Sequence, residues 1–469
     1  MSGVTQAKGA TVAARLAKAA LAADPLANRA AVEKAKICLI DFLSCAFEAR
    51  ELPWSRQAIG IVTPLPAGAN VIASDVVCAP AEAAFANGVL GHGLVREDMH
   101  AASIAHLGVV VWPSLLALAQ RRPVSGSALL AAALVGYEAG ARIGRALMTS
   151  ELARLFRPTG LVGPLGAALA GSRLLGLRED AAVNAVALAA NTSSGLNQWP
   201  HTGGSEMYFH PGFAARNAVV CVGLAEAGAV GSDSIIEGEA GLFAAFARRP
   251  LDAEIALFPN GEAEILAVFN KPVPACNFAQ SPCQAALQAA AKIAGQSSRV
   301  TGIAIETSEA AVRYPGCDAA GPFARPLQAK MSIQFGVAAT IARGAIAEDN
   351  YGHLDDAEIR RLISVTSLRA DPAFTAAFSA KQGARVTLTL DDGTSVSRAL
   401  DDVVFATPEL VRSRFRDACG AVLGAKAASG IEAFVDRLEH QDDAGRIAAL
   451  CAVPDAGHLQ TGRAAGGRA

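Results

Sequence analysis

The chain has 469 residues, of which 52% are apolar, 18% charged and only 5% aromatic, and its formal net charge is −2. That balance excludes a disordered chain and gives no basic excess of the kind a nucleic-acid-binding surface requires. The length suits one large core with a smaller appended domain, or about three domain-sized units. The 44 glycines follow no collagen period and sit among long Ala-rich stretches, which favours helices that approach closely across small side chains.

Residues 1–23 carry Lys8, Arg15 and Lys18 and no acid, a pattern shared with transit peptides. Ala13, Leu16, Ala20 and Leu21 nevertheless have helical spacing, so the segment reads as the first helix of the domain. From Asn28 to Arg50 the apolar positions Val32, Ala35, Leu39, Phe42, Leu43 and Ala46 repeat every three to four residues, and a second such helix spans Ser127 to Met148. The uncharged stretch Ala101 to Gln120 contains His106, Gly108 and Pro113, and it reads as a buried interior segment rather than a membrane span. Gly160 to Ala190, rich in Gly and Ala, predicts helices buried on most sides. Nine cysteines without a C-x-x-C pair suit buried thiols in a cytoplasmic protein, not a disulfide frame or zinc ribbon.

The character of the chain changes after Phe269. Val300 to Ile305 and Ile363 to Leu368 are candidate strands, and a helix is expected over Pro326 to Arg343. Arg385 to Leu390, Asp391-Asp392-Gly393 and Thr394 to Leu400 predict a hairpin, because Asp-Gly supplies the positive φ of a tight turn. Helical pattern returns from Pro408 to Leu450. The expected architecture is mainly α: a helical domain over 1–270, an inserted α+β domain over 271–402, a helical return over 403–456 and a disordered tail over 457–469.

Three of the eight histidines, His92, His100 and His106, fall within fifteen residues, with Glu97 and Asp98 between them. Imidazole titrates near neutrality, so the cluster suits acid–base chemistry or substrate contact; buried structural histidines and a metal site from His92, Asp98, His100 and His106 are the other readings. No H-E-x-x-H motif is present, and spacings of eight and six do not put the histidines on one helical face. Gly203 to Gly212, which includes His210, lacks the lysine and spacing of a P-loop and is not G-x-G-x-x-G, so it predicts no nucleotide site. Lys271 is one of nine lysines against 32 arginines and is followed by Pro272 and Pro274, which fix its local backbone; a solvated loop lysine is the alternative.

Several blocks together resemble the MmgE/PrpD family, which includes 2-methylcitrate dehydratases, cis-aconitate decarboxylases and iminodisuccinate epimerases. They run from Ala84-Phe85-Ala86-Asn87-Gly88 through the histidine segment to Leu118, then Gly136-Tyr137-Glu138, Pro158-Thr159-Gly160, Leu174 to Leu177, His210 to Asn217, Lys271 to Cys276 and Ala329 to Ser332. The resemblance implies a large helical domain, a smaller α+β domain, a homodimer, and an active site between the domains. It also implies chemistry on a small di- or tricarboxylate without a cofactor or a metal. The common step is proton transfer at carbon next to a carboxylate, followed by loss of water, loss of carbon dioxide or inversion.

Departures from the family pattern are specific. The usual D-F-D-D-T/S is Val95-Arg96-Glu97-Asp98-Met99; a histidine before Pro-Thr is Arg157; a lysine is Met207; a later histidine is Gln280; a tyrosine is Phe335. On this resemblance His106 is the expected general base or acid, Lys271 stabilises an enediolate, and His100 with Asp98 assists proton transfer. Arg157 and Arg96 would clamp carboxylates, with His92, His210 and Gln280 as further substrate contacts. A lyase is the expected activity; an epimerase or isomerase, and a non-catalytic carboxylate-binding or scaffold protein, are the alternatives.

Overall fold

The computed structural model describes residues 10–454. The expectations for Lys8 and for the 457–469 tail fall outside those residues. The chain is mainly helical, as its periodicity predicts. Val12–Ala22 begins behind Thr11, whose hydroxyl accepts from Ala14 N, and Arg29–Ala49 begins behind Asn28, whose carboxamide accepts from Ala31 N. The uncharged stretch contains the helix Gly108–Ala119, buried throughout, and no helix among the described residues is long and apolar enough to cross a membrane.

Glycine sets the closeness of the helical packing. A Cβ on Gly166 of the Pro158–Leu174 helix would lie 2.5 Å from the Gly136 carbonyl oxygen of the Gly126–Leu147 helix. One on Gly88 of Pro80–His92 would lie 2.9 Å from Gly212 Cα of Glu206–Glu226. The helices therefore meet backbone to backbone, which larger side chains would prevent.

The α+β part contains a four-stranded sheet in the order Thr366–Ala370, Val300–Thr307, Ala384–Leu390, Ser395–Leu400. The first pair is parallel and the other two are antiparallel, the last forming the hairpin expected at Asp391-Asp392-Gly393. Two local expectations are corrected. Pro326 to Arg343 is two helices, Pro326–Met331 and Ile333–Arg343, because the Ser332 hydroxyl accepts from Phe335 N at 2.9 Å and starts the second one. Ile363 lies in the helix Ala357–Ser364, and the strand begins only at Thr366, because Ile359, Leu362 and Ile363 bury a helical stripe behind the Asp356 cap.

Two large apolar cores result, with two small clusters beside them. The larger takes residues from Val12 to Val268 and again from Ala406 to Cys451, so the C-terminal helices pack back on the first part. Phe415 meets Phe47 edge to face at 6.2 Å, and Lys36 Nζ donates to the Asp436 carbonyl at 2.9 Å. The second runs from Val273 to Leu390 and draws in Trp54, Phe85, Val89, Val95, Trp199, Met207 and Tyr208 from the helical part. Val95, Trp199 and Met207 also border a cavity between the two cores.

Candidate active site

A very short antiparallel pairing aligns the residues that matter. Met99 and His100 pair with Phe269 and Val268, so the chain leaving the histidine segment runs beside the chain entering Lys271. The intervening loop turns sharply twice, with Val95 at φ +57° and Ile104 at φ +53°. Both are β-branched residues in the left-handed region, which costs on the order of 1–3 kcal/mol each and is sustained by the surrounding packing. Both border the cavity.

These turns bring His92 and His106 onto one carboxylate. Glu97 Oε1 lies 2.5 Å from His92 Nδ1 and 2.8 Å from His106 Nδ1. His106 Nδ1 is also 3.1 Å from the Asp98 carbonyl oxygen, and its backbone N–H donates to Thr159 Oγ1 at 3.0 Å. With acceptors on that side, the proton belongs on Nδ1 and the Nε2 lone pair is left for the cavity. Burial takes the His106 imidazole down to about 3, outweighing the opposing pull of Glu97, and Lys271 and Arg157 add to the lowering. Burial would raise Glu97, yet His92 and His106 hold it well below the usual carboxylate range. The pair at neutral pH is therefore a carboxylate behind a neutral imidazole, the arrangement of an oriented general base.

Two cations complete the floor. Lys271 is fully buried, and its ammonium donates to the carbonyls of Val95 and Ala275, the latter at 2.6 Å. An ammonium has three donors, so one is left over. Burial lowers Lys271 to about 8, with Glu97 and Cys276 opposing and Arg157 and Lys330 adding, so it remains largely charged at neutral pH. Arg157 precedes the Pro158–Leu174 helix, donates from Nη2 to His92 Nε2 at 3.1 Å and lies over the Trp199 ring at 5.6 Å. Its Nε is buried without a partner. Among the described residues neither Arg157 nor Lys271 has a carboxylate within ion-pair distance. His106, Arg157 and Lys271 border one cavity of about 360 Å³, which Cys276, Phe278, Tyr314 and Phe378 also line. Arg154 and Arg313 stand near its mouth.

The other sequence-derived candidates lie elsewhere. His100 spends both ring nitrogens outside the cavity, on Ser103 Oγ at 2.8 Å and Glu264 Oε2 at 2.8 Å. Asp98 accepts from the Tyr137 hydroxyl and from Gly108 N at 3.3 Å, at the start of the Gly108–Ala119 helix. Its geometry is that of a helix clamp, not of a partner to His100. Arg96 turns the opposite way from Glu97, to Glu48 at 2.6 Å and Ser44 at 3.0 Å, and borders a different cleft. Gln280 holds the Lys271 loop: it accepts from Val273 N at 2.9 Å and donates to the carbonyls of Val273, Ala275 and Cys276 at 3.0–3.2 Å. His92 is a bridge, from Glu97 to Arg157, behind the wall. His210 faces Arg157 across Gly195, with Nδ1 buried and unpartnered. Burial, then Arg157 and His92, lowers it to about 3.

Glu97 is the member absent from the sequence-derived set. Its signal was available only in part, as an acid between two histidines.

Ligand atoms of His92, Glu97 and His106 all lie within 4.8 Å of one another, close enough to suggest a metal triad. The donor set argues otherwise. Its contacts are hydrogen bonds at 2.5 and 2.8 Å through the two Nδ1 atoms, and His92 Nε2 accepts from the Arg157 guanidinium at 3.1 Å, so both ring nitrogens of His92 already have hydrogen-bond partners and a fixed positive charge stands beside the group. The trio reads as a proton-handling relay.

The chain is similar to several known proteins. A cis-aconitate decarboxylase-like protein of Aspergillus oryzae is 26% identical over 465 residues, covering 89% of this chain and 92% of its own length. A cis-aconitate decarboxylase of Aspergillus terreus is 30% identical over 220 residues, 45% of each chain, and a 2-methylcitrate dehydratase of Cupriavidus necator is 29% identical over 409 residues, 81% of each. Residues 13–253 match the MmgE/PrpD N-terminal domain and residues 273–440 the MmgE/PrpD C-terminal domain, so the chain belongs to the MmgE/PrpD family.

Proposed function

We propose that this protein is a lyase that transfers a proton at carbon next to a carboxylate of a small di- or tricarboxylate, taking one up in loss of water or delivering one in loss of carbon dioxide. The observation that carries the reading is the convergence of His106, Lys271 and Arg157 on one cavity, with both cations buried and, among the described residues, no carboxylate within ion-pair distance of either. A buried cation without a counter-charge is costly, and a substrate carboxylate repays that cost on binding. The names of the relatives, decarboxylases of cis-aconitate and dehydratases of 2-methylcitrate, support the same substrate class.

In this mechanism Arg157 takes one carboxylate with its planar fork. In dehydration His106 Nε2 accepts the carbon-bound proton and Glu97 stabilises the imidazolium that forms; in decarboxylation the imidazolium returns a proton to the substrate carbon. The spare N–H of Lys271 donates to the enediolate oxygen as charge develops there. Tyr314, which lines the same cavity, keeps its phenolic proton, because burial pushes it up, and donates it to the hydroxyl that departs as water in dehydration. No electron carrier is needed for these steps. The homodimer implied by the family resemblance belongs to this proposal and is measured by light scattering.

The test is incubation of the purified protein in deuterium oxide with cis-aconitate, citrate and 2-methylcitrate, followed by NMR. Loss of water or carbon dioxide, abolished by His106→Ala and by Lys271→Ala, is the expected result. Deuterium uptake with inversion and no loss of mass would make it an isomerase. Binding without turnover would make it a carboxylate-binding protein.

A further inference from the structure

Cys276 and Cys317 place their sulfurs 3.7 Å apart. Cys276 ends the loop that begins at Lys271 and borders the cavity, whereas Cys317 is fully buried behind it. The pair is therefore a stacked dithiol with one sulfur at a small-molecule cavity and the other out of reach. The two thiols also differ electrostatically. A hydrogen bond from Cys317 lowers Cys276 most; burial opposes it, and the Phe278 N–H, Lys271 and Arg157 add to the lowering. Cys317 is raised by burial, as are Cys38, Cys45, Cys283 and Cys451.

We propose that Cys276 and Cys317 form a modification site for hydroperoxides, in which Cys276 is the attacking thiolate and Cys317 the resolving thiol. The Cys276 sulfur attacks the distal oxygen, the O–O bond breaks, and the leaving oxygen takes a proton to depart as water or an alcohol. Cys276 is then a sulfenic acid. The Cys317 sulfur attacks it, an S–S bond forms, and the hydroxyl leaves as water with the Cys317 proton. Two thiols are oxidised and one peroxide is reduced. Closing the bond requires the sulfurs to approach by roughly 1.7 Å, from 3.7 Å to the length of a disulfide. That movement draws on the Lys271 loop, since Cys276 N donates to the Lys330 carbonyl at 2.9 Å and the adjacent Ala275 carbonyl anchors Lys271. The proposal rests on the thiol geometry and stands apart from the reaction the cavity carries out.

The test uses the reduced full-length protein, equimolar hydrogen peroxide, a maleimide quench and peptide mapping without reductant. A Cys276–Cys317 linked peptide, reversed by dithiothreitol, is expected, with these two thiols consumed at least about tenfold faster than the other cysteines. In Cys317→Ser and Cys317→Ala the same treatment leaves a sulfenic acid on Cys276 that dimedone captures. Oxidation spread evenly over the cysteines overturns the proposal, as does an unreacted Cys276. A linked peptide in the wild-type protein suffices on its own if neither variant folds.

Discussion

Replacing Arg157 by methionine separates a substrate-holding arginine from a structural one. Arg157 gives the free protein one charge-assisted hydrogen bond, to His92 at 3.1 Å, worth about 1.5–3 kcal/mol, and a face contact with Trp199 at 5.6 Å, worth about 1–2 kcal/mol. Against these stands the cost of burying a guanidinium with no carboxylate partner and an orphaned Nε, which is several kcal/mol for an ion. The two sides nearly cancel, so Arg157→Met is expected to unfold within about 1 kcal/mol of the wild type. In the ligand complex the balance reverses, because the substrate carboxylate loses its buried partner. The expected loss is about 3–5 kcal/mol, on the order of 10²- to 10⁴-fold in affinity. Isothermal titration with citrate, cis-aconitate and tricarballylate, beside urea unfolding of both proteins, measures the two quantities separately. A variant destabilised by about 3 kcal/mol or more that binds as tightly as the wild type would refute the reasoning.

His106→Ala should slow substrate deuterium exchange by about 10²- to 10⁴-fold with little change in unfolding midpoint. Glu97 raises His106, so Glu97→Gln should move the acid limb of the kcat/KM profile to lower pH as well as lowering turnover. Gln280→Ala removes a side chain with four bonds to the Lys271 loop and should cost about 2–3 kcal/mol in urea unfolding, with turnover reduced through Lys271. Stability should fall as pH drops from about 6.5 towards 4. His106 and His210 stay neutral in the folded chain down to about 3, while the unfolded chain protonates them near 6.5. Burial lowers His92 in the same sense, whereas Asp98, raised to about 7 chiefly by burial, and Asp41 and Glu348, also raised by burial, take up protons in the folded chain first and work in the opposite sense. His106→Gln with His210→Gln should flatten the acid side of the profile, measured as unfolding midpoint against pH.

The sequence displayed the helices because their signal is local: Val32, Ala35, Leu39 and Phe42 report a buried face without any knowledge of what covers it. Ser332 escaped, since a capping hydroxyl inside an apolar run looks the same as a tolerated helical serine. The candidate site was legible as a set of residue types but not as an arrangement. Adjacent residues Arg96 and Glu97 point to opposite sides, one to Glu48 and the other to two histidines, and only the backbone turn at Val95 decides which meets the histidines. Gln280 illustrates the reverse, for a side chain in a family contact position became a backbone clamp once its carboxamide met four partners.

The pairing of Met99–His100 with Val268–Phe269 has an outcome for how this architecture diversifies. It fastens Lys271 to the helical body, so the proton-handling groups form one unit, while the wall at Phe278, Tyr314, Thr375 and Phe378 comes from the α+β part. Chemistry and selectivity are thereby written in different stretches of the chain. On the proposed function, substitutions at Phe278, Thr375 and Phe378 alter the size and polarity of what fits while His106, Glu97 and Lys271 keep their arrangement, so new acids become accessible to the same proton-transfer groups.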